Sequence, residues 1–281
     1  MLRQHISDTS FLVAESRARR LDISRDAYAR HWMPPTRLSA VASLWDDFSR
    51  EVYPHDDLEL AIRNRFFLDR LEGFAAAHED AAFVNVCAGL TSYPFLLERP
   101  IPCFECDLPH VVRFKQRRMA ELSSSGILPR RSVSFLGLDV SREDGRHQIQ
   151  SLLDTKLANR PTFVLLEGVS YLLNFGVLEA LFDVFREGQS PGSQVAMDFW
   201  MPDLRQHPVF LRLQKFFGTH FGFPAQDYCL FDREWIGRIR RYRVLESSTV
   251  SGSEQRYAAS AVLSNEREIL PENYALLERL S

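Results

Sequence analysis

The sequence predicts an α/β domain: a mostly parallel sheet covered by helices on both faces. Three observations predict it. Short apolar runs recur at Ala82–Cys87, Pro102–Cys106, Ser132–Leu138, Thr162–Leu166 and Gln194–Phe199. Stretches with helical spacing lie between them, at Val111–Ser123, Arg146–Leu157 and Phe175–Glu187. The runs are apolar throughout rather than alternating, the pattern of strands buried on both sides.

The whole chain, 1–281, reads as one domain with four parts. Residues 1–80 form an N-terminal helical cap. Its helices are expected over Ser10–Arg20, Asp26–Trp32, Arg37–Arg50 and Leu58–Ala77. Pro34-Pro35 stops the second, and Leu60, Phe67, Leu71 and Phe74 give the fourth a helical period. Residues 81–199 carry the five strands of a ligand-binding core. Residues 200–232 read as a helical, aromatic-rich insertion. Residues 233–281 supply a helix over Glu234–Arg240 and two β-rich runs, Val244–Val250 and Tyr257–Leu263, joined at Ser251-Gly252-Ser253. These runs are expected to pair antiparallel at one sheet edge, bringing the count to seven strands.

Composition narrows the classes of function. A net charge of −3 argues against a broad phosphate-binding surface, so no nucleic-acid partner is expected. Arg130-Arg131 and the group Arg238, Arg240, Arg241 read as solvated faces. No apolar run reaches the ~18 residues of a membrane span, and the start lacks the apolar core of a signal peptide. Four cysteines in 281 residues form no disulfide framework, so a cytoplasmic location is expected. Cys103 and Cys106 stand three apart in a strand and should face opposite sides of the sheet, unable to share a metal. No histidine spacing marks a metal site, and none is expected.

Ligands of open α/β sheets bind beyond the carboxyl ends of the strands. The first strand ends in Cys87-Ala88-Gly89, a turn small enough for close ligand approach, or an ordinary tight turn. The second ends at Asp107, 18 residues after Gly89, placed either to accept from two ribose hydroxyls or to cap a helix opening at Pro109. The third ends at Asp139-Val140, an ordinary loop aspartate if taken alone, or a pair suited to an adenine edge and face. The fourth ends at Glu167-Gly168, an acid directly after a buried run. Three acids on successive strand ends are hard to treat as independent.

Several stretches give the sequence a family resemblance. They are Phe104-Glu105-Cys106-Asp107-Leu108-Pro109 followed by Phe114-Lys115; Leu166-Glu167-Gly168-Val169 with Tyr171-Leu172; Ala61 to Asp69; Thr9 to Arg17; and Phe231-Asp232-Arg233-Glu234. Together they resemble the leucine carboxyl methyltransferase family of class I S-adenosylmethionine-dependent methyltransferases, which includes bacterial small-molecule O-methyltransferases. The resemblance implies a Rossmann-like fold and S-adenosyl-L-methionine as cofactor. It implies that Arg63, assisted by Arg17, binds the methionine carboxylate, and that Cys87, Ala88 and Gly89 line the sulfonium. Asp107, followed by Leu108, would hold the ribose. Asp139 and Val140 would frame the adenine, and Glu167-Gly168 would face the cationic centre. It departs from the family after the first strand: Cys87 replaces a glycine, Thr91 an aspartate and Tyr93 an arginine.

The reaction implied is O-methylation of a carboxylate, phenol or alcohol of a small molecule in secondary metabolism. The alternatives are methylation of a protein C-terminus and cofactor binding without turnover. A nicotinamide dehydrogenase is weaker, because Gly-x-Gly-x-x-Gly is absent. Tyr171, His207 and His220 are the candidate bases, histidine having the pKa for the task. Aromatic residues such as Phe210, Phe216, Phe217, Phe221, Phe223 and Tyr228 crowd the insertion, so an aromatic or apolar acceptor is expected. Monomer and homodimer both remain open.

Overall fold

The strands form a seven-stranded sheet of order β3-β2-β1-β4-β5-β7-β6. The structure is a computed structural model. It describes residues 2–222 and 228–281, and the side chains of 9–222 and 228–281, so Phe223 lies outside the described residues. The cap contains α1 (Leu2–Arg19), α2 (Leu21–Ser24), α3 (Leu38–Glu51) and α4 (Asp56–Ala77). The core follows as β1 (Ala82–Val86), α5 (Tyr93–Leu96), β2 (Cys103–Asp107), α6 (Pro109–Ser124), β3 (Val133–Gly137), α7 (Glu143–Ser151), β4 (Thr162–Leu166), α8 (Phe175–Gly188) and β5 (Gln194–Phe199). A π-helical turn, Leu152–Lys156, extends α7. The chain continues through α9 (Pro208–Phe221), α10 (Arg233–Gly237), β6 (Tyr242–Thr249), α11 (Val250–Tyr257) and β7 (Asn273–Arg279).

Strands β1 to β5 are parallel, and β7 runs antiparallel to both β5 and β6. Every residue of β1, β2 and β4 is buried, which explains why these strands read as unbroken apolar runs. The two-residue period still sorts them. Phe83, Cys103, Phe163 and Leu165 pack under α4, whereas Val84, Cys106, Val164 and Leu166 pack with Leu181 and Phe185 of α8. Cys103 and Cys106 therefore occupy separate cores on opposite sheet faces. A third cluster, including Phe11, Trp32, Leu90 and Leu122, ties α1 to α6.

Helix α4 carries the cap. It is 22 residues long, and Ala61, Ile62, Phe66, Phe67 and Leu71 are 0 % exposed. A helix so enclosed also has to bury polar side chains, and Asp56, Glu59, Arg63 and Asn64 are all buried. Among the described residues no helix is long and apolar enough to cross a membrane.

Two expected elements differ. Asp26–Trp32 is a turn followed by a 3-10 segment at Ala29–Trp32, because the Asp26 carboxylate accepts from Tyr28 N and pairs with Arg17 instead of opening a helix. Tyr257–Leu263 is not a strand. Thr249 Oγ1 accepts from Gly252 N at 3.0 Å, so Ser251-Gly252-Ser253 becomes the first turn of α11. The buried Glu254 then accepts from Val262 N and Leu263 N at 2.6 and 2.9 Å, holding that run as a loop. The strand beside β6 is Asn273–Arg279, whose Ala, Leu and Glu content reads locally as helix. Tertiary pairing overrides that preference.

Candidate active site

Beyond the carboxyl ends of β1, β2 and β4 and beneath α1 and α4 lies a cavity of about 490 Å³. Order β2-β1-β4 makes the β1/β4 boundary the switch point of the sheet, where such a crevice opens. Arg17, Arg63, Cys87, Ala88, Gly89, Asp107, Leu108, Asp139, Val140, Glu167, Gly168 and Tyr171 all line it.

The rim is held by backbone hydrogen bonds. Gly89 N donates to Asp107 Oδ2 at 2.7 Å, and Leu108 N to Oδ1 at 2.6 Å. One donor per oxygen fixes the carboxylate and leaves acceptor capacity on both oxygens. Burial raises the Asp107 pKa, and these two N–H groups oppose the rise. Gly89 sits at φ +48° and Cys87 at φ +58°, in the left-handed region. The first position thus has the backbone of a glycine and the side chain of a cysteine, at a cost of about 1–2 kcal/mol. Asp139 Oδ1 accepts from Ser141 N at 3.1 Å, and Arg146 Nη1 donates to Val140 O at 2.9 Å. A Cβ on Gly145 would fall 2.1 Å from the Asp139 carbonyl oxygen, so α7 can approach this turn only with glycine there.

Beside the rim is a buried ionic cluster centred on Arg63. Its Nε lies 3.1 Å from Glu167 Oε1, and its Nη1 lies 2.9 Å from Glu272 Oε1 and 3.2 Å from Asp198 Oδ2. Asp198 is fixed in turn by Gly168 N, at 2.8 and 2.9 Å from its two oxygens. Gly168 is at φ +67°, and a Cβ there would lie 3.4 Å from Arg63 Nη2. Burial pushes Asp198 and Glu272 up as well, and their neighbouring carboxylates add to the rise. Further along α4, Tyr53 hydroxyl bonds both Asp56 Oδ1 and Glu59 Oε2, at 3.2 and 2.9 Å, and Ser16 Oγ donates to Asp56 Oδ2 at 2.7 Å. Burial raises Asp56 to about 6 and drives Glu59 well upward.

The departures after β1 find partners. Tyr93 hydroxyl donates to Glu167 Oε2 at 2.7 Å. Thr91 Oγ1 donates to Ala88 O at 2.8 Å and accepts from Asn85 Nδ2 at 2.9 Å. Arg17 lines the cavity but is engaged by Asp26 at 3.1 Å and by Leu90 O at 2.9 Å.

Of the three candidate bases, the cavity contains Tyr171 alone. Its ring stacks on Trp200 at 3.6 Å, and burial together with Asp198 raises its pKa well above the ordinary value, unfavourable for a base. His207 caps α9 through Nδ1 and faces Glu266 O through Nε2 at 2.7 Å. His220 stacks on Phe216 and lies 3.8 Å from Glu51. Neither lines the cavity: His207 is held as the N-cap of α9, and His220 sits in its last turn beside Glu51 of α3. Trp200, Leu213, Phe217 and Tyr228 do line it, whereas Phe210, Phe216 and Phe221 are core. Among the described residues no three metal-ligating side chains are grouped.

The sequence reading missed Tyr53, Asp56, Glu59, Asp198 and Glu272. One signal was available. Asp56, Glu59 and Arg63 are spaced three and four apart, so they share a helix face. Glu272 had no such signal: it stands just before β7, 209 residues from Arg63 along the chain.

The sheet order and the helices on its two faces define an α/β protein with the class I methyltransferase fold. Residues 10–185 match the leucine carboxyl methyltransferase family, and the chain belongs to that family. A Mycobacterium marinum protein, provisionally named an S-adenosyl-L-methionine-dependent methyltransferase, is 32% identical over 148 residues, or 52% of this chain and 46% of that relative. The chain spans about half the length of the curated relatives it matches. Two solved structures share the fold. A Thermobifida fusca protein provisionally called a methyltransferase gives a TM-score of 0.61 at 18% identity, covering 86% of this chain and 89% of that one. A DUF574-family protein of Streptomyces avermitilis gives 0.60 at 14% identity, covering 85% and 90%.

Proposed function

We propose that the chain is an S-adenosylmethionine-dependent methyltransferase acting on an oxygen atom of a small aromatic or apolar molecule. The observation that carries the reading is Asp107. It is buried, pinned by two backbone N–H groups, and faces the same cavity as Asp139, Val140, Arg63 and Glu167. The donor set fits S-adenosylmethionine. Two acceptor oxygens suit vicinal ribose hydroxyls, an acid beside an apolar residue suits adenine, and an excess of carboxylates suits a group with two cationic centres and one anionic one. Arg63, engaged by acids through Nε and Nη1 and hydrogen-bonded to Tyr171, is the guanidinium offered to the methionine carboxylate.

When bound, S-adenosylmethionine supplies a methyl group on a sulfonium leaving group. What the chain adds is positioning, which at best is worth on the order of 7–11 kcal/mol. Cap helices α1 and α4 wall one side of the cavity, and Trp200, Leu213, Phe217 and Tyr228 offer an apolar surface to the acceptor.

Calorimetry with S-adenosylmethionine, S-adenosylhomocysteine and NAD tests the cofactor. The first two should bind and NAD should not. Formation of S-adenosylhomocysteine with a panel of phenols, alcohols and carboxylic acids tests turnover. Tight NAD binding, or no binding of either adenosyl compound, would overturn the proposal. The strained Cys87 favours a second reading, cofactor binding without turnover, which predicts binding and no product with every acceptor.

A further inference from the structure

The acceptor end of the cavity is acidic as well as apolar. Glu59 and Asp56 lie one and two turns before Arg63 on α4, about 6 and about 10 Å along the helix axis from the residue assigned to the methionine end. The apolar wall at this end includes Phe48, Leu213, Phe217 and Leu270. Against Asp56, Glu59, Glu167, Asp198 and Glu272 the cluster sets one guanidinium, Arg63, since Arg17 is paired with Asp26.

Two buried polar groups of the cavity wall matter here, and one of them lacks a partner among the described residues. Glu59 is 1 % exposed and lines the cavity, and its Oε2 accepts from Tyr53. Trp200 is 3 % exposed and lines the same cavity, and its indole N–H has no acceptor. A buried donor or acceptor left unmet costs about 1–3 kcal/mol. The cavity thus presents two buried acids, Asp56 and Glu59, and an unused donor on an indole.

We infer that the methyl acceptor is a cationic aromatic molecule, whose ammonium group seats on Glu59 and Asp56 and whose oxygen meets the Trp200 side of the cavity. This rests on the methyltransferase reading and names its substrate class. The charge balance supports it. Burial and neighbouring carboxylates disfavour the charged forms of Asp56 and Glu59, and an ammonium group beside them would offset that charge. An anionic acceptor would add a further negative charge beside acids already destabilised by their neighbours.

Three phenols of nearly equal shape test it: tyramine, 4-propylphenol and 3-(4-hydroxyphenyl)propanoate. Their tails are cationic, neutral and anionic. Binding is measured by calorimetry to the full chain, with and without saturating S-adenosylhomocysteine. Tyramine should bind at least about tenfold tighter than 4-propylphenol, with the propanoate weakest, equivalent to about 1.4 kcal/mol at the first step. Glu59→Gln should narrow the gap, and Asp56→Asn serves if that variant does not fold. The inference is overturned if the propanoate binds as tightly as tyramine, if none of the three binds, or if the order survives both substitutions. Failure to bind S-adenosylhomocysteine strikes the cofactor reading alone, and the charge order is then read on the protein without it.

Discussion

Arg63 Nε lies 3.1 Å from Glu167 Oε1, joining the middle of α4 to the turn after β4. Arg63 is the cation that Glu167, Asp198 and Glu272 share. Replacing it with Met removes the cation and leaves three buried carboxylates. The expected loss is about 3–5 kcal/mol of unfolding free energy, from urea titration. The deficit should widen as pH rises from 5 to 8. Ionising a carboxylate whose folded pKa is raised opposes folding, and that opposition grows above the unfolded value.

Asp107 gives a test at the rim. Asp107→Asn keeps the shape but turns an acceptor oxygen into a donor facing a backbone N–H, and removes the charge offered to the ribose. A charged hydrogen bond is worth about 1.5–3 kcal/mol, so affinity for S-adenosylhomocysteine should fall by about ten- to a hundredfold. Unchanged affinity by calorimetry would show that the ribose lies elsewhere.

The buried Asp56 predicts a pH effect of definite sign. Its pKa is raised from 3.8 to about 6 by burial, with Asp57 adding to the rise and Ser16, Tyr53 and Arg63 opposing it. The folded state therefore binds more protons than the unfolded state between those values. Its stabilising contribution is present below about pH 4 and is lost as pH rises through about 6. Relative to Asp56→Asn, the unliganded protein should lose stability from pH 4 to pH 7, by an amount on the order of 3 kcal/mol. Parallel pH profiles of the two proteins in urea would contradict this.

Lys115 Nζ lies 2.8 Å from Glu105 Oε2, with both side chains almost fully buried. Burial raises the Glu105 pKa and Lys115 opposes the rise. Lys115→Met strands the carboxylate and should cost about 3–5 kcal/mol, whereas Lys115→Met with Glu105→Leu should recover much of it. Equal losses in single and double variants would show that packing, not charge, is what Lys115 supplies.

Cys87 holds a left-handed backbone at φ +58°. Cys87→Gly relieves about 1–2 kcal/mol of strain against about 0.5–1 kcal/mol of added chain entropy, for a net gain of about 0.5 kcal/mol. Cys87→Val, β-branched at the same φ, should lose more than about 1 kcal/mol. Urea midpoints in that order are expected, and a Val variant as stable as the parent would show that the turn relaxes.

The parallel core was legible because its signals are local. Ala82–Val86, Cys103–Asp107 and Thr162–Leu166 are unbroken apolar runs, and each hands the chain to a turn with a small or acidic residue. The antiparallel end was less legible. Tyr274-Ala275-Leu276-Leu277 has helical content, and only pairing with β5 and β6 makes it a strand. His207 and His220 had the right chemistry, but their tertiary partners, Glu266 O and Glu51, hold them outside the cavity.

By itself the sequence determined which residues stand at the strand ends, because the period of burial and the turn residues are written along a few consecutive positions. Only the tertiary structure decided the ionic cluster. Arg63 and Glu272 are 209 residues apart, and their 2.9 Å contact exists because β7 inserts between β5 and β6 while α4 packs across the sheet. Local sequence encodes burial and capping; which distant charges share one low-dielectric space is set by strand order and helix docking.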